Sequence, residues 1–69
     1  MTQPVDVVIN GERKHIRGGT LLDVLAELQL DPRTVVVEHN RKIVRRPVLH
    51  EVSVSSGDTL EVVHLVGGG

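Results

Sequence analysis

Val5-Asp6-Val7-Val8-Ile9-Asn10-Gly11-Glu12-Arg13-Lys14-His15-Ile16-Arg17 is the stretch on which the architecture turns. From Val5 to Ile9 the side chains alternate, with Val5, Val7 and Ile9 on one face of an extended strand and Asp6 and Val8 on the other. Asn10-Gly11 follows at once. Both central residues of a type I′ turn need positive φ, and these two tolerate it, so Glu12 to Arg17 should fold back antiparallel. In that second strand Lys14 and Ile16 share one face and Arg13, His15 and Arg17 the other. So polar a strand belongs at a sheet edge.

Beyond the hairpin, Gly18-Gly19 breaks the extended pattern and Thr20-Leu21-Leu22-Asp23 starts a helix. Thr20 is the expected N-cap, and Asp23 falls at the third helical position, near the positive end of the helix dipole. Leu21, Leu22, Val24, Leu25 and Leu28 form an apolar stripe, with Asp23 and Glu27 left towards water. Asp31-Pro32 is expected to close the helix after about ten residues, because a residue before proline is pushed out of the α region. A helix so short is marginal alone and must lie across a sheet.

Val35 to Asn40 reads as a third strand and Lys42-Ile43-Val44 as its return after a tight turn at Asn40-Arg41. Arg45 to Ser56 carries the weakest pattern. Pro47 bars a central strand there, and Glu51 to Ser55 alternates as a short edge strand would. Ser56-Gly57-Asp58 is a turn signal, and the last strand runs from Thr59 to Val66. Leu60, Val62, His64 and Val66 share one of its faces and Glu61, Val63 and Leu65 the other, so apolar residues occur on both sides and a central position is expected. The sum is an α+β fold with a mixed sheet of four or five strands and one helix packed across one face.

Composition limits what such a fold can do. The chain has 69 residues, enough for one small domain, with eight Lys+Arg against nine Asp+Glu. Fourteen valines, eight leucines and three isoleucines supply nearly all of the apolar content, and Phe, Tyr, Trp and Cys are absent. The core must therefore be aliphatic. No disulfide framework, thiolate metal site or cysteine nucleophile is available, which suits a cytoplasmic setting. The near-neutral charge and the lack of stacking platforms argue against nucleic acid, and no apolar run is long enough to cross a bilayer. His15, His39, His50 and His64 show no metal-ligand spacing. Asp23, Glu27, Asp31 and Glu61 fall on expected solvent faces, so neither a metal site nor a catalytic centre is expected within the chain. Arg41, Lys42, Arg45 and Arg46 form a basic cluster that reads as a solvated loop face or as a docking patch for an acidic partner.

Val66-Gly67-Gly68-Gly69 is the least ordinary stretch. The reading divides the chain into one domain over residues 1–66 and a flexible glycine tail over 67–69. Four extended residues span about 13–14 Å, enough to carry a terminal carboxylate into the active site of another protein. Without a Cβ, Gly67 and Gly68 would pass a channel that admits only backbone. The Gly69 carboxylate, an anion near neutral pH and a poor electrophile, would have to be activated before accepting a nucleophile. Val63, Leu65 and Val66 would form the partner surface that leads to it.

Taken together, the Asn10-Gly11-Glu12 hairpin, the Thr20-Leu21-Leu22-Asp23-Val24-Leu25 helix start, Leu30-Asp31-Pro32-Arg33, Val36-Val37-Glu38, the Gly57-Asp58 turn and the glycine ending resemble the ThiS family of sulfur carriers of thiamine biosynthesis. The resemblance implies a ubiquitin-like β-grasp fold. It implies that the Gly69 carboxylate is adenylated by a ThiF-like adenylating enzyme using ATP, that sulfur from a persulfide donor replaces AMP, and that the thiocarboxylate serves a ThiG-like thiazole synthase. The chain itself would bind no cofactor and would not be an enzyme. A carrier serving molybdopterin or transfer RNA thiolation, and a ubiquitin-like protein modifier, share the same ending.

Overall fold

The computed structural model describes residues 3–65. Strand β1 (Val5–Ile9) pairs antiparallel with β2 (Glu12–Ile16) in the register that the hairpin requires, Ile9 opposite Glu12 and Val5 opposite Ile16. Asn10 and Gly11 sit at φ 50° and 83°, both positive as a type I′ turn demands. A two-residue strand β3 (Gly19–Thr20) leads into helix α1 (Leu21–Glu27). A 3₁₀ turn over Pro32–Thr34 precedes β4 (Val35–His39), which reverses through Asn40 and Arg41, at φ 51° and 72°, into β5 (Lys42–Val44). A second 3₁₀ segment (Arg46–Glu51), a two-residue strand β6 (Ser53–Val54) and the long strand β7 (Thr59–His64) complete the described chain.

The main sheet has the order β2-β1-β7-β4-β5, with β1 and β7 parallel and the other neighbours antiparallel. The polar strand β2 lies at the edge and β7 at the centre, as their side-chain patterns required. The helix packs on the face that carries Val7, Ile9, Val35, Val37, Leu60 and Val62, which together with Ile16, Leu21, Val24, Leu25, Leu49 and Val54 form the buried core. These side chains are all aliphatic, so core order rests on their close fit and on the few χ1 rotamers open to the β-branched valines and isoleucines among them.

The helix start is as the sequence required. Thr20 Oγ1 accepts from the Asp23 N–H at 3.2 Å while Asp23 Oδ2 accepts from the Thr20 N–H at 2.9 Å, a reciprocal capping box. Its end is not. The helix has seven residues instead of about ten and stops before Asp31-Pro32. Gln29 turns left-handed at φ 61°, the Leu30 N–H reaches the Leu25 carbonyl at 2.9 Å, and the Gln29 N–H reaches Ala26 at 3.0 Å. This Schellman-type closure satisfies the last carbonyls and returns Leu30 to the core, and the proline only starts the following turn. Leu22, assigned by spacing to the buried stripe, is 39% exposed, because a seven-residue helix buries a stripe only as wide as Leu21, Val24 and Leu25.

The weakly patterned stretch supplies a lid over the core. Pro47 opens the second 3₁₀ segment, which seats Leu49 at 2% exposure beside the helix. The short strand after it is not an edge of the main sheet. Ser53 and Val54 pair with Thr20 and Gly19 in a separate two-stranded ribbon, and the Leu21 N–H donates to the Val52 carbonyl at 2.9 Å. The residues read as a simple break before the helix therefore also form half of a ribbon.

Candidate functional site

Val63 and Leu65, expected at a partner surface, lie on the sheet face opposite the helix and are 55% and 60% exposed. Val66, Gly67, Gly68 and Gly69 lie outside the described residues. The middle of the chain does not cover Val63 and Leu65, since Leu49 of the second 3₁₀ segment and Val54 of the β3–β6 ribbon belong to the core side. The strand registers place further residues on this bare face. Val36 is opposite Val63, Glu38 is opposite Glu61, and Ile43, 67% exposed, is opposite Glu38. An apolar arc made of Ile43, Val36, Val63 and Leu65 thus flanks two carboxylates.

Sequence reasoning missed Val36, Glu38 and Ile43 as companions of Val63. Parity places Val36 and Glu38 on one face of β4, but only the register with β7 and β5 shows which residues stand beside them.

Two asparagines hold β7 in position below this face. Strand β1 turns away at Asn10 while β7 continues, so the Val62 backbone groups on that side lose their strand neighbour. The Asn10 side chain replaces it: Oδ1 accepts from the Val62 N–H at 2.8 Å and Nδ2 donates to the Val62 carbonyl at 3.1 Å. At the start of the strand, Asn40 Oδ1 accepts from the Thr59 N–H at 2.9 Å and the Asn40 N–H donates to the Thr59 carbonyl at 2.8 Å. Each asparagine also opens a left-handed turn, which its short polar side chain tolerates.

Asp58 completes the Asn40 anchor. It stands 2.7 Å from His39 Nε2, 3.2 Å from Asn40 Nδ2 and 2.9 Å from the Ser55 N–H. Loss of water disfavours its charge, but the donors from Ser55, His39 and Asn40 outweigh that effect and hold its carboxyl below the ordinary aspartate value. The cluster ties the β4–β5 turn to the β6–β7 turn. His39 is therefore a structural partner of Asp58, in a pair 19 residues apart in sequence.

None of the described polar or charged side chains is buried, and no group of three or more potential metal ligands occurs among the described residues. No described helix is long and apolar enough to cross a membrane. The basic residues Arg41, Lys42, Arg45 and Arg46 all lie on exposed positions around β5 and make no ion pair among the described residues. His64, on the helix side of β7, is exposed.

A five-stranded mixed sheet with parallel β1 and β7, crossed by one helix and bare on its other face, is a β-grasp protein of the ubiquitin-like kind. Its fold superposes with a TM-score of 0.82 on the crystal structure of the thiamine biosynthesis protein ThiS from Geobacter metallireducens, at 23% identity over 94% of this chain and 100% of that one. The solution structure from the same organism gives 0.78, covering 94% of this chain and 88% of that one at 23% identity. The sequence profile of the ThiS family matches residues 7–69, and the chain belongs to that family. It is 45% identical over 51 residues to the sulfur carrier protein ThiS of Bacillus subtilis strain 168, a match that covers 74% of this chain and 77% of that protein. Thiazole synthase from Paramagnetospirillum magneticum is 41% identical over 64 residues, which is 91% of this chain but 20% of the longer protein. The corresponding match in Magnetococcus marinus is 39% over 62 residues, 88% of this chain and 19% of the synthase. The chain thus spans about a fifth of the length of these two synthases. Its function is that of a sulfur carrier in thiamine biosynthesis, not a catalyst.

Proposed function

We propose that the sulfur travels as a thiocarboxylate on Gly69. The observation that carries this reading is that a sulfur carrier of this family contains no cysteine, so no thiol in the chain can hold the sulfur as a persulfide. The family match runs through Gly67, Gly68 and Gly69, which supports the glycine ending as part of the working protein.

A carboxylate resists attack because its charge is delocalised over both oxygens. A ThiF-like adenylating enzyme would remove that resistance: one carboxylate oxygen attacks the α-phosphorus of ATP, pyrophosphate leaves, and an acyl-adenylate forms. The terminal sulfur of a persulfide donor then attacks the acyl carbon and AMP departs. Reduction of the acyl disulfide by a thiol leaves the thiocarboxylate and a new disulfide. Gly67 and Gly68 thread the partner channels. Ordering the three glycines costs on the order of 3–6 kcal/mol, so the folded body must supply much of the affinity, through Val63, Leu65 and Val66. The acceptor of the sulfur is a ThiG-like thiazole synthase, which the two synthases containing a segment similar to this chain support. The chain itself holds no cofactor, ATP being used by its partner, and it works in the cytoplasm.

The test combines the chain with ATP, the adenylating enzyme and a persulfide donor, and follows its intact mass. Replacement of one oxygen by sulfur is the expected gain, and a chain lacking Gly69 should fold normally yet show none. Sulfur incorporation into that truncated chain, or mass gains the size of a conjugated protein, would overturn the proposal.

A further inference from the structure

Glu38 and Glu61 stand directly opposite one another on β4 and β7, on the bare face of the sheet. Directly opposite side chains have Cβ atoms about 4.5–5.5 Å apart, and like charges so placed repel. Neither carboxylate has an ion-pair partner among the described residues. Arg41 and Arg45 share the parity of Ile43 on the adjoining segment, but they pair with neither. The free chain therefore carries an unfavourable arrangement beside the apolar arc of Ile43, Val36, Val63 and Leu65, while the far side of the same face, on β1 and β2, is polar with Asp6, Arg13 and His15.

We propose that Glu38 and Glu61 together seat an arginine side chain of the thiazole synthase that receives the sulfur. The inference rests on the reading that this face docks partners. When a partner covers the apolar arc, water leaves and the repulsion between the two carboxylates grows, so docking is favoured by a partner that brings positive charge to that point. A guanidinium meets the geometry better than an ammonium. Its planar fork offers several N–H donors in fixed directions, so it can bridge two carboxylates, and its flat faces and aliphatic stem can lie on Val36, Val63 and Ile43. The partner is assigned as the synthase because relatives of the chain include single proteins named thiazole synthase in which a similar segment shares one polypeptide with the rest of the enzyme. Such an arrangement keeps this segment permanently near that enzyme.

The experiment measures the affinity of the full chain for thiazole synthase, and separately for the adenylating enzyme, at several salt concentrations. It uses the wild type, Glu38→Gln, Glu61→Gln, the double variant and Glu12→Gln as a control on the helix side of the sheet. Affinity of the double variant for the synthase should fall at least about tenfold, on the scale of lost charge-assisted hydrogen bonds, and its salt dependence should flatten. Its thermal midpoint should stay level or rise, because the repulsion is gone. Unchanged affinity for the synthase, a loss confined to the adenylating enzyme, or a lowered thermal midpoint would each overturn the proposal. Delivery of sulfur from Gly69 by a double variant of undiminished affinity would overturn it while leaving the thiocarboxylate reading intact.

Discussion

Replacing Asn10 by glycine removes the side chain that stands in for the missing strand beside Val62 while keeping a residue that tolerates φ 50°. Two partly buried hydrogen bonds disappear, at 2.8 and 3.1 Å, while the Asn10 N–H can still donate to the Leu60 carbonyl at 2.9 Å. At about 0.5–1.5 kcal/mol each the loss is about 1–3 kcal/mol, somewhat less if water reaches the Val62 groups. For a domain of this size that lowers the thermal midpoint by roughly 5–20 °C. Thermal and urea unfolding give the total, and amide exchange at Val62 locates it: its protection should drop well before that of Val37 or Leu60. Asn10→Asp keeps the acceptor for the Val62 N–H but sets a carboxylate oxygen against the Val62 carbonyl, so it should not restore stability. Asn40→Gly loses contacts at an exposed site and should cost less. A midpoint shift for Asn10→Gly of less than about 2 °C, or unchanged exchange at Val62, would refute the idea that the amide serves as a substitute strand.

Three further outcomes are expected. Asp58 is held below its ordinary pKa, so its ionisation favours the folded state above the unfolded value of about 3.9, and that stability is lost as pH falls through the lower folded value. Asp58→Asn should flatten the stability profile below about pH 4, as read by urea midpoints across that range. Gly19→Ala places a Cβ 2.5 Å from Asp23 Oδ2 at φ +100°, disturbing the capping box and straining the backbone, for about 2–4 kcal/mol. Gly57→Ala, at φ +92° with nothing within 4 Å, should cost only the strain, so denaturant midpoints separate the two effects. Leu49→Ala should cost about 2–5 kcal/mol, against far less for Val48→Ala at 40% exposure; equal urea midpoints would mean that the 3₁₀ lid is not part of the core.

Much of the fold was legible because its signals are local. Asn10-Gly11 specifies a hairpin through the φ angles of two residues, Thr20 and Asp23 specify a helix start through hydrogen bonds three residues apart, and the polarity of β2 assigns it to an edge. The helix end was not legible, because Gln29 adopts a left-handed conformation only where the Leu25 and Ala26 carbonyls and the seating of Leu30 stabilise it. The ribbon of β3 with β6 was equally hidden: two residues carry no periodicity, and their partners lie more than thirty residues away in the chain, at Val54 and Ser53.

The same division runs through the candidate site. By itself the sequence determined the aliphatic core, the absence of any thiol, the glycine ending, and the alternation that puts Val63 and Leu65 opposite Leu60 and Val62. Each follows from composition or from the two-residue period of a strand. Only the tertiary structure decided that Val36 adjoins Val63, that Ile43, Glu38 and Glu61 form one row, that His39 meets Asp58, and that Asn10 grips Val62. Alternation tells which face a side chain takes but carries no register, and register between strands far apart in the chain is settled by which pairing closes the whole core at once.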